Sequence, residues 1–284
     1  MTTPPQGPAS PSESQSDQGI QPHQARKIAE SFGSDPDRYD RSRPRYPDAL
    51  VHRIIESSPG TNIVDVGCGT GIASRQFQAA GCRVLGVEVD ARMADLARRY
   101  GIEVEVSAFE QWDPAGRVFD AVVAAQAWHW VDPAAGAAKA ALALRNGGDG
   151  RGGRLAVFWN VFQPAPDLAQ AFAEVQRRVL PEAPVFWTRP ALEGYAPMFS
   201  AAANGIAKAG GYGEPEDWRF EWEHRYTRDA WLEQLPTHGG VSQLPSDKLV
   251  QLLEGTGDAI DAIGGSFTMK YTSVVVTAAR GEAA

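Results

Sequence analysis

Asp65-Val66-Gly67-Cys68-Gly69-Thr70-Gly71 is the stretch on which the fold is decided. It stands between a short apolar run, Asn62 to Val66, and a segment with helical spacing, Ile72 to Ala80. Glycine at alternate positions lets the chain turn tightly and lets a ligand approach backbone where a Cβ would collide. The helix that follows offers unpaired N–H groups and a partial positive charge at its first turn. Strand, glycine turn and helix in that order open a nucleoside- or nucleotide-binding α/β unit. A dinucleotide fingerprint would need Gly or Ala at position 72, where Ile72 stands.

Working outward, helices and buried strands alternate. Asp48 to Glu56 reads as a helix carrying Leu50, Val51, Ile54 and Ile55, and Gly81 is placed to stop the helix that begins at Ile72. Arg83 to Val89, Val104 to Val106, Phe119 to Ala125 and Arg154 to Trp159 read as strands. Between them, Ala91 to Tyr100 and Ala134 to Leu144 read as helices. Connections this short imply a parallel sheet with helices on both faces. After Asn160 the rhythm breaks. Residues 161–215 show helical stretches, the clearest from Leu168 to Leu180, and are expected to form a helical cap insertion. Arg219 to Tyr226 and Phe267 to Ala278 read as closing strands around a helix from Ser246 to Ile263.

Residues 1–22 are Pro, Ser, Gln and Gly with little to bury, so a disordered tail is expected there. Order should begin near Gln24, where Ala25, Ile28, Ala29 and Phe32 recur at helical spacing, and a single domain over residues 23–284 follows. The chain has 284 residues, 43% hydrophobic and 22% charged, with no apolar run near the roughly 20 residues that span a membrane. No basic segment followed by an apolar stretch opens the sequence, so cytoplasmic residence is expected. The formal charge of −8 disfavours nucleic acid and anionic lipid as partners. Cys68 and Cys82 have no metal-site spacing, and no metal is expected.

The second strand ends Gly86-Val87-Glu88-Val89-Asp90. A carboxylate at that tip can accept both ribose hydroxyls of a nucleoside, so Glu88 is a candidate ribose ligand, with Val89 and Met93 as apolar contacts to the base. Asp90 suits the N-cap of the next helix.

Asp65 two positions before the first of the alternating glycines Gly67, Gly69 and Gly71 resembles motif I of class I methyltransferases. Phe119-Asp120-Ala121-Val122-Val123, leading to Gln126 and His129-Trp130, resembles the type 11, trans-aconitate-methyltransferase-like group. The resemblance covers residues 31 to 160 well and 219 to 280 loosely. It implies a Rossmann-like seven-stranded sheet, mostly parallel with antiparallel last strands, and S-adenosylmethionine along its C-terminal edge. It also implies that the adenine meets Ser107-Ala108-Phe109-Glu110, with Ala108 and Phe109 the contacts. Tyr39 and Arg43, in Tyr39-Asp40-Arg41-Ser42-Arg43-Pro44-Arg45-Tyr46-Pro47, match an element that folds over the donor's methionine end, where guanidinium suits carboxylate. The Asn/Asp-Pro-Pro-Tyr/Phe signature of base-methylating enzymes is absent after strand four.

The expected function is therefore methyl transfer from S-adenosylmethionine to a small-molecule acceptor. The alternatives are a non-catalytic nucleoside-binding scaffold on the same fold and an NAD(P)-dependent oxidoreductase. His129 is the one candidate general base, against a packing role between Trp128 and Trp130. Of eight tryptophans, Trp128, Trp130, Trp159 and Trp187 are expected to line an enclosed, apolar acceptor pocket.

Overall fold

The computed structural model describes residues 32–147, 151–183, 185, 187 and 190–281. The expected tail over 1–22 and the start of the helix expected from Gln24 lie outside the described residues. The elements run α1 (Pro36–Ser42), α2 (Asp48–Glu56), β1 (Asn62–Val66), α3 (Ile72–Ala79), β2 (Arg83–Glu88), α4 (Ala91–Arg99) and β3 (Glu103–Val106). They continue with β4 (Ala121–Ala125), α5 (Pro133–Ala143), β5 (Arg154–Gln163), α6 (Pro166–Val179) and α7 (Ala191–Ala209). The chain closes with β6 (Glu216–Thr227), α8 (Arg228–Gln234), α9 (Ser246–Asp261) and β7 (Ser266–Ala279).

One seven-stranded sheet has the order β3-β2-β1-β4-β5-β7-β6. The first five strands are parallel, and β7 runs antiparallel between β5 and β6. Strand order reverses between β1 and β4, which opens a crevice at their C-terminal ends where ligands bind in such sheets.

Alternation along the strands divides the core between two faces. Ile63 and Phe158 pack with Leu50 and Ile54 of α2 and Phe77 of α3. Val64, Leu155 and Trp159 pack on the other face with Ala140 of α5 and Ile206 of α7. Leu50, Ile54, Ile63 and Ile206 are fully buried, each contributing roughly 1.5–3 kcal/mol of burial free energy. Capping matches the residues present: Asp90 and Asp132 accept N–H groups of the first turns of α4 and α5, at 2.9 and 3.0 Å.

The expectation of one helical cap over 161–215 needs correction. β5 runs on to Gln163, because β7 pairs with it from Arg154↔Ala279 to Gln163↔Lys270. Helix α7 lies on the sheet face, its Phe199, Ala202 and Ile206 joining the main core. The capping helices are α6, α8 and α9, two of them beyond residue 215. Phe172 of α6, Trp231 of α8 and Ile260 of α9 close on Tyr226, Phe267, Met269 and Tyr271, beside the C-terminal end of β5. β4 begins at Ala121 rather than Phe119, which bridges instead to Leu144.

Candidate active site

The crevice at the strand-order reversal is an open cleft of about 760 Å³ counting its mouth. Tyr39, Gly67, Gly69, Glu88, Val89, Met93, Ala108, Phe109 and Gln126 line it, together with Val66, Val87, Ser107, Glu110, Ala125, Ala127, Trp130 and Val131.

The glycine turn earns its composition residue by residue. Gly67, Gly69 and Gly71 have φ of 63°, 56° and 84°, the left-handed region that costs other residues most. A Cβ on Gly67 would come within 2.5 Å of the Ala127 Cβ across the cleft floor. Gly71 has a different task from the expected ligand contact. It lies outside the cleft lining, and a Cβ there would press on Ile102 and Ala97 at 3.0 and 3.4 Å. Close packing of α3 against α4 and the start of β3 is what requires that glycine.

Glu88 is the polar centre of the cleft. Its Oε2 accepts the Gly69 N–H at 2.8 Å, and its Oε1 accepts those of Val89 and Asp90 at 2.9 and 3.0 Å. A carboxylate has about four lone-pair sites, so these three donors fix its orientation and leave capacity on Oε2. Burial nevertheless raises its carboxyl above the ordinary value, against the lowering by the N–H groups of Asp90, Gly69 and Val89. An additional donor in the cleft would relieve that cost.

Asp65 sits beneath the turn rather than in the cleft. It is 1% exposed, and its Oδ2 accepts the Ser74 hydroxyl at 2.6 Å. Its Oδ1 has no partner among the described residues. Burial raises its carboxyl to about 7; the Ser74 hydroxyl works against this and the neighbouring Glu88 adds to it.

Gln126 follows β4 with φ of 57°, a conformation uncommon for a residue with a side chain. Its backbone N–H bonds Phe158 O at 2.8 Å, and its Nε2 donates to Asn160 O at 3.2 Å. Asn160 in turn accepts the Ser273 hydroxyl at 2.6 Å and donates to Arg45 O at 3.3 Å. Neighbouring strands thus over-determine a strained residue on the cleft wall, the usual circumstance in which strain persists.

Helix α1 crosses the cleft as a strap. Asp40 Oδ1 accepts the Thr70 hydroxyl of the glycine turn at 2.7 Å and Arg75 of α3 at 2.6 Å. Arg41 bonds Glu233 of α8 at 2.8 Å. This anchoring by Asp40 escaped the sequence reading; one acid among four arginines was the available signal. Tyr39 faces the cleft as expected. Arg43 does not: its guanidinium donates to the Thr237 hydroxyl at 2.9 Å and the Thr237 carbonyl, and lies over the Tyr39 ring at 5.0 Å.

His129 is placed as a packing residue rather than a general base. Its Nδ1 accepts the Trp159 indole N–H at 3.2 Å, which occupies the lone pair of the neutral ring. Burial lowers its pKa to about 4, and it is not part of the cleft lining. The four expected pocket tryptophans separate as well. Trp128 and Trp159 belong to the main core, Trp187 packs against Phe162 and Phe172 in the cap, and Trp130 alone of the four lines the cleft. Among the described residues no three metal-ligating side chains converge, and no helix is long and apolar enough to cross a membrane.

Residues 63–148, β1 through the turn after α5, match the methyltransferase domain family. An uncharacterized methyltransferase of Mycobacterium tuberculosis is 33% identical over 137 residues, 48% of this chain and 54% of its own length. One from Mycobacterium bovis gives the same figures. The chain therefore spans about half the length of these curated relatives. A solved structure described as a candidate type II methyltransferase from Anaeromyxobacter dehalogenans superposes with a TM-score of 0.61 at 21% identity. That superposition covers 85% of this chain and 99% of the other, and at such identity it bears on the fold. Residues 63–148 thus match a methyltransferase domain, and the superposition shows a fold shared with the Anaeromyxobacter protein. The matched segment carries the glycine turn, Glu88 and the β4 end, residues that line the cleft.

Proposed function

We propose that this chain binds S-adenosylmethionine in the cleft and transfers its methyl group to a small-molecule acceptor. The observation that carries the reading is Glu88, a buried carboxylate oriented by three N–H groups with hydrogen-bonding capacity left over, facing a turn whose Gly67 leaves no room for a Cβ. That acceptor suits the hydroxyls of a ribose diol, and the flanking Val89, Met93, Ala108 and Phe109 suit a purine face. Tyr39 on the strap covers the opposite end.

When bound, S-adenosylmethionine supplies a methyl group already activated on a positively charged sulfur. What remains for the protein is alignment and exclusion of water. Asp40 serves alignment by tying the strap to the glycine turn. Gln126 and Trp130, at the end of β4, present a polar group and an aromatic face to the space where an acceptor would lie. His129, with its lone pair committed to Trp159, lies outside the lining and packs against Trp130 rather than serving proton transfer.

The test is incubation with methyl-labelled S-adenosylmethionine over a panel of small carboxylates, phenols, amines and thiols. Label appearing in one acceptor class, with S-adenosylhomocysteine released, is the expected outcome. Tight binding of the donor with no transfer across the whole panel would instead favour a nucleoside-binding scaffold.

A further inference from the structure

Strand β6 is the outer strand of the sheet beyond β7, twelve residues long and paired on one side. Its register with β7 is unbroken from Glu216↔Thr277 to Thr227↔Ser266, so it contains no bulge. It also lacks proline, and the charges that could keep this edge from pairing are of both signs rather than one. A free edge of this length presents a row of backbone donors and acceptors to any strand of matching pattern.

The pattern that matches is its own. Alternation puts Asp217, Arg219, Glu221, Glu223 and Arg225 on one face, all exposed. We propose that β6 is the seam of a two-fold dimer, pairing antiparallel with β6 of a second copy about Glu221. In that register Asp217 faces the partner's Arg225 and Arg219 faces the partner's Glu223, each pair occurring twice. Phe220 faces the partner's Trp222 on the other side of the strand. Directly opposed pairs of unlike charge, and aromatic pairs, stabilise antiparallel strands, and like charges destabilise them.

Neighbouring registers fail on charge. Centring on Trp222 sets Arg219 against the partner's Arg225 and Glu221 against the partner's Glu223. Centring on Phe220 sets Asp217 against the partner's Glu223. A merely protective edge would gain nothing from a charge order that complements itself when reversed. The Glu221 register leaves one like-charge contact, Glu221 against its own copy on the axis, and that contact gives the proposal a test of opposite sign.

The experiment is analytical ultracentrifugation of the full chain across a wide concentration range, on the wild type and three variants. The wild type is expected to associate reversibly to a dimer. Arg225→Asp, which places Asp217 against a second acid at both ends, should raise the dissociation constant by about tenfold or more. The double exchange Asp217→Arg with Arg225→Asp recreates the pair with reversed polarity and should return it close to the wild-type value. Glu221→Gln removes the repulsion on the axis and should tighten the dimer by roughly two- to fivefold. A wild type that stays monomeric at every concentration would overturn the proposal. So would a dimer that Arg225→Asp leaves intact, or one that the double exchange fails to restore.

Discussion

The glycine turn over residues 65–71 and the aromatic cap beyond β5 adjoin the same edge of the sheet, yet they rest on different physics. In the turn, backbone conformation does the work: three glycines at positive φ, a Cβ-free approach to Ala127, and the Gly69 N–H that helps orient Glu88. In the cap, side-chain volume does it. Trp231 is fully buried between Phe172, stacked at 6.0 Å, and Tyr226 and Phe267, edge-on at 5.1 and 5.4 Å. The first region leaves a cleft open and the second fills itself. Damage to the turn should therefore appear in affinity, and damage to the cap in stability.

Trp231→Ala is expected to have the largest effect. Emptying that site should cost about 3–5 kcal/mol, the usual range for a buried large aromatic. Chemical denaturation would show it, with S-adenosylhomocysteine affinity changed less than about threefold, within 0.7 kcal/mol. A large loss of affinity in a folded variant would break the division between the two regions.

Gly67→Ala should do the reverse. Left-handed strain and the approach to Ala127 amount to roughly 1–3 kcal/mol, or about 10- to 100-fold weaker binding by calorimetry if the turn is displaced. Unchanged affinity would mean that the missing Cβ serves packing alone, as it does at Gly71.

A further effect concerns pH. Asp65 titrates at about 7 in the folded chain, well above its unfolded value. Between about pH 4 and 7 the native state thus holds a proton that the unfolded chain has released, and stability falls as pH rises through that window. His129, lowered to about 4, acts oppositely: its contribution is lost as pH falls from about 6.5 towards 4. The two trends offset each other in the wild type. Asp65→Asn should remove the first and leave stability climbing between pH 4 and 6.5. Relative to wild type the gain on going from pH 4 to 8 should be on the order of 4 kcal/mol, from about three pKa units. Denaturation curves across that range that superimpose on those of the wild type would contradict the assignment.

The parallel sheet was legible because β1, β2 and β4 are short apolar runs, capped helices separate most of the strands, and glycine conformations are written into residue type. The cleft was legible for the same reason at Gly67, Gly69 and Glu88. Residue type does not say where a side chain turns: Arg43 and Asp65 turn away from the cleft, and of the two readings of His129 the packing one fits. Thr237 and Trp159, which hold two of them, lie far away in sequence or on another strand. Helix α7 was hidden because its Ala-rich sequence, interrupted by Pro197, has no distinct polar face until β5 and α5 are present to cover it. The cap was misdrawn because its helices come from both sides of β6.

Isothermal titration of the full chain with S-adenosylhomocysteine, with NADH titrated in parallel, tests the central claim most directly. The Glu88-centred cleft predicts micromolar or tighter binding of the sulfur nucleoside, none of NADH, and at least about tenfold weaker binding in Glu88→Gln, in line with a hydrogen bond to a charged group. Binding of NADH alone, or binding of S-adenosylhomocysteine that Glu88→Gln leaves untouched, would contradict the account.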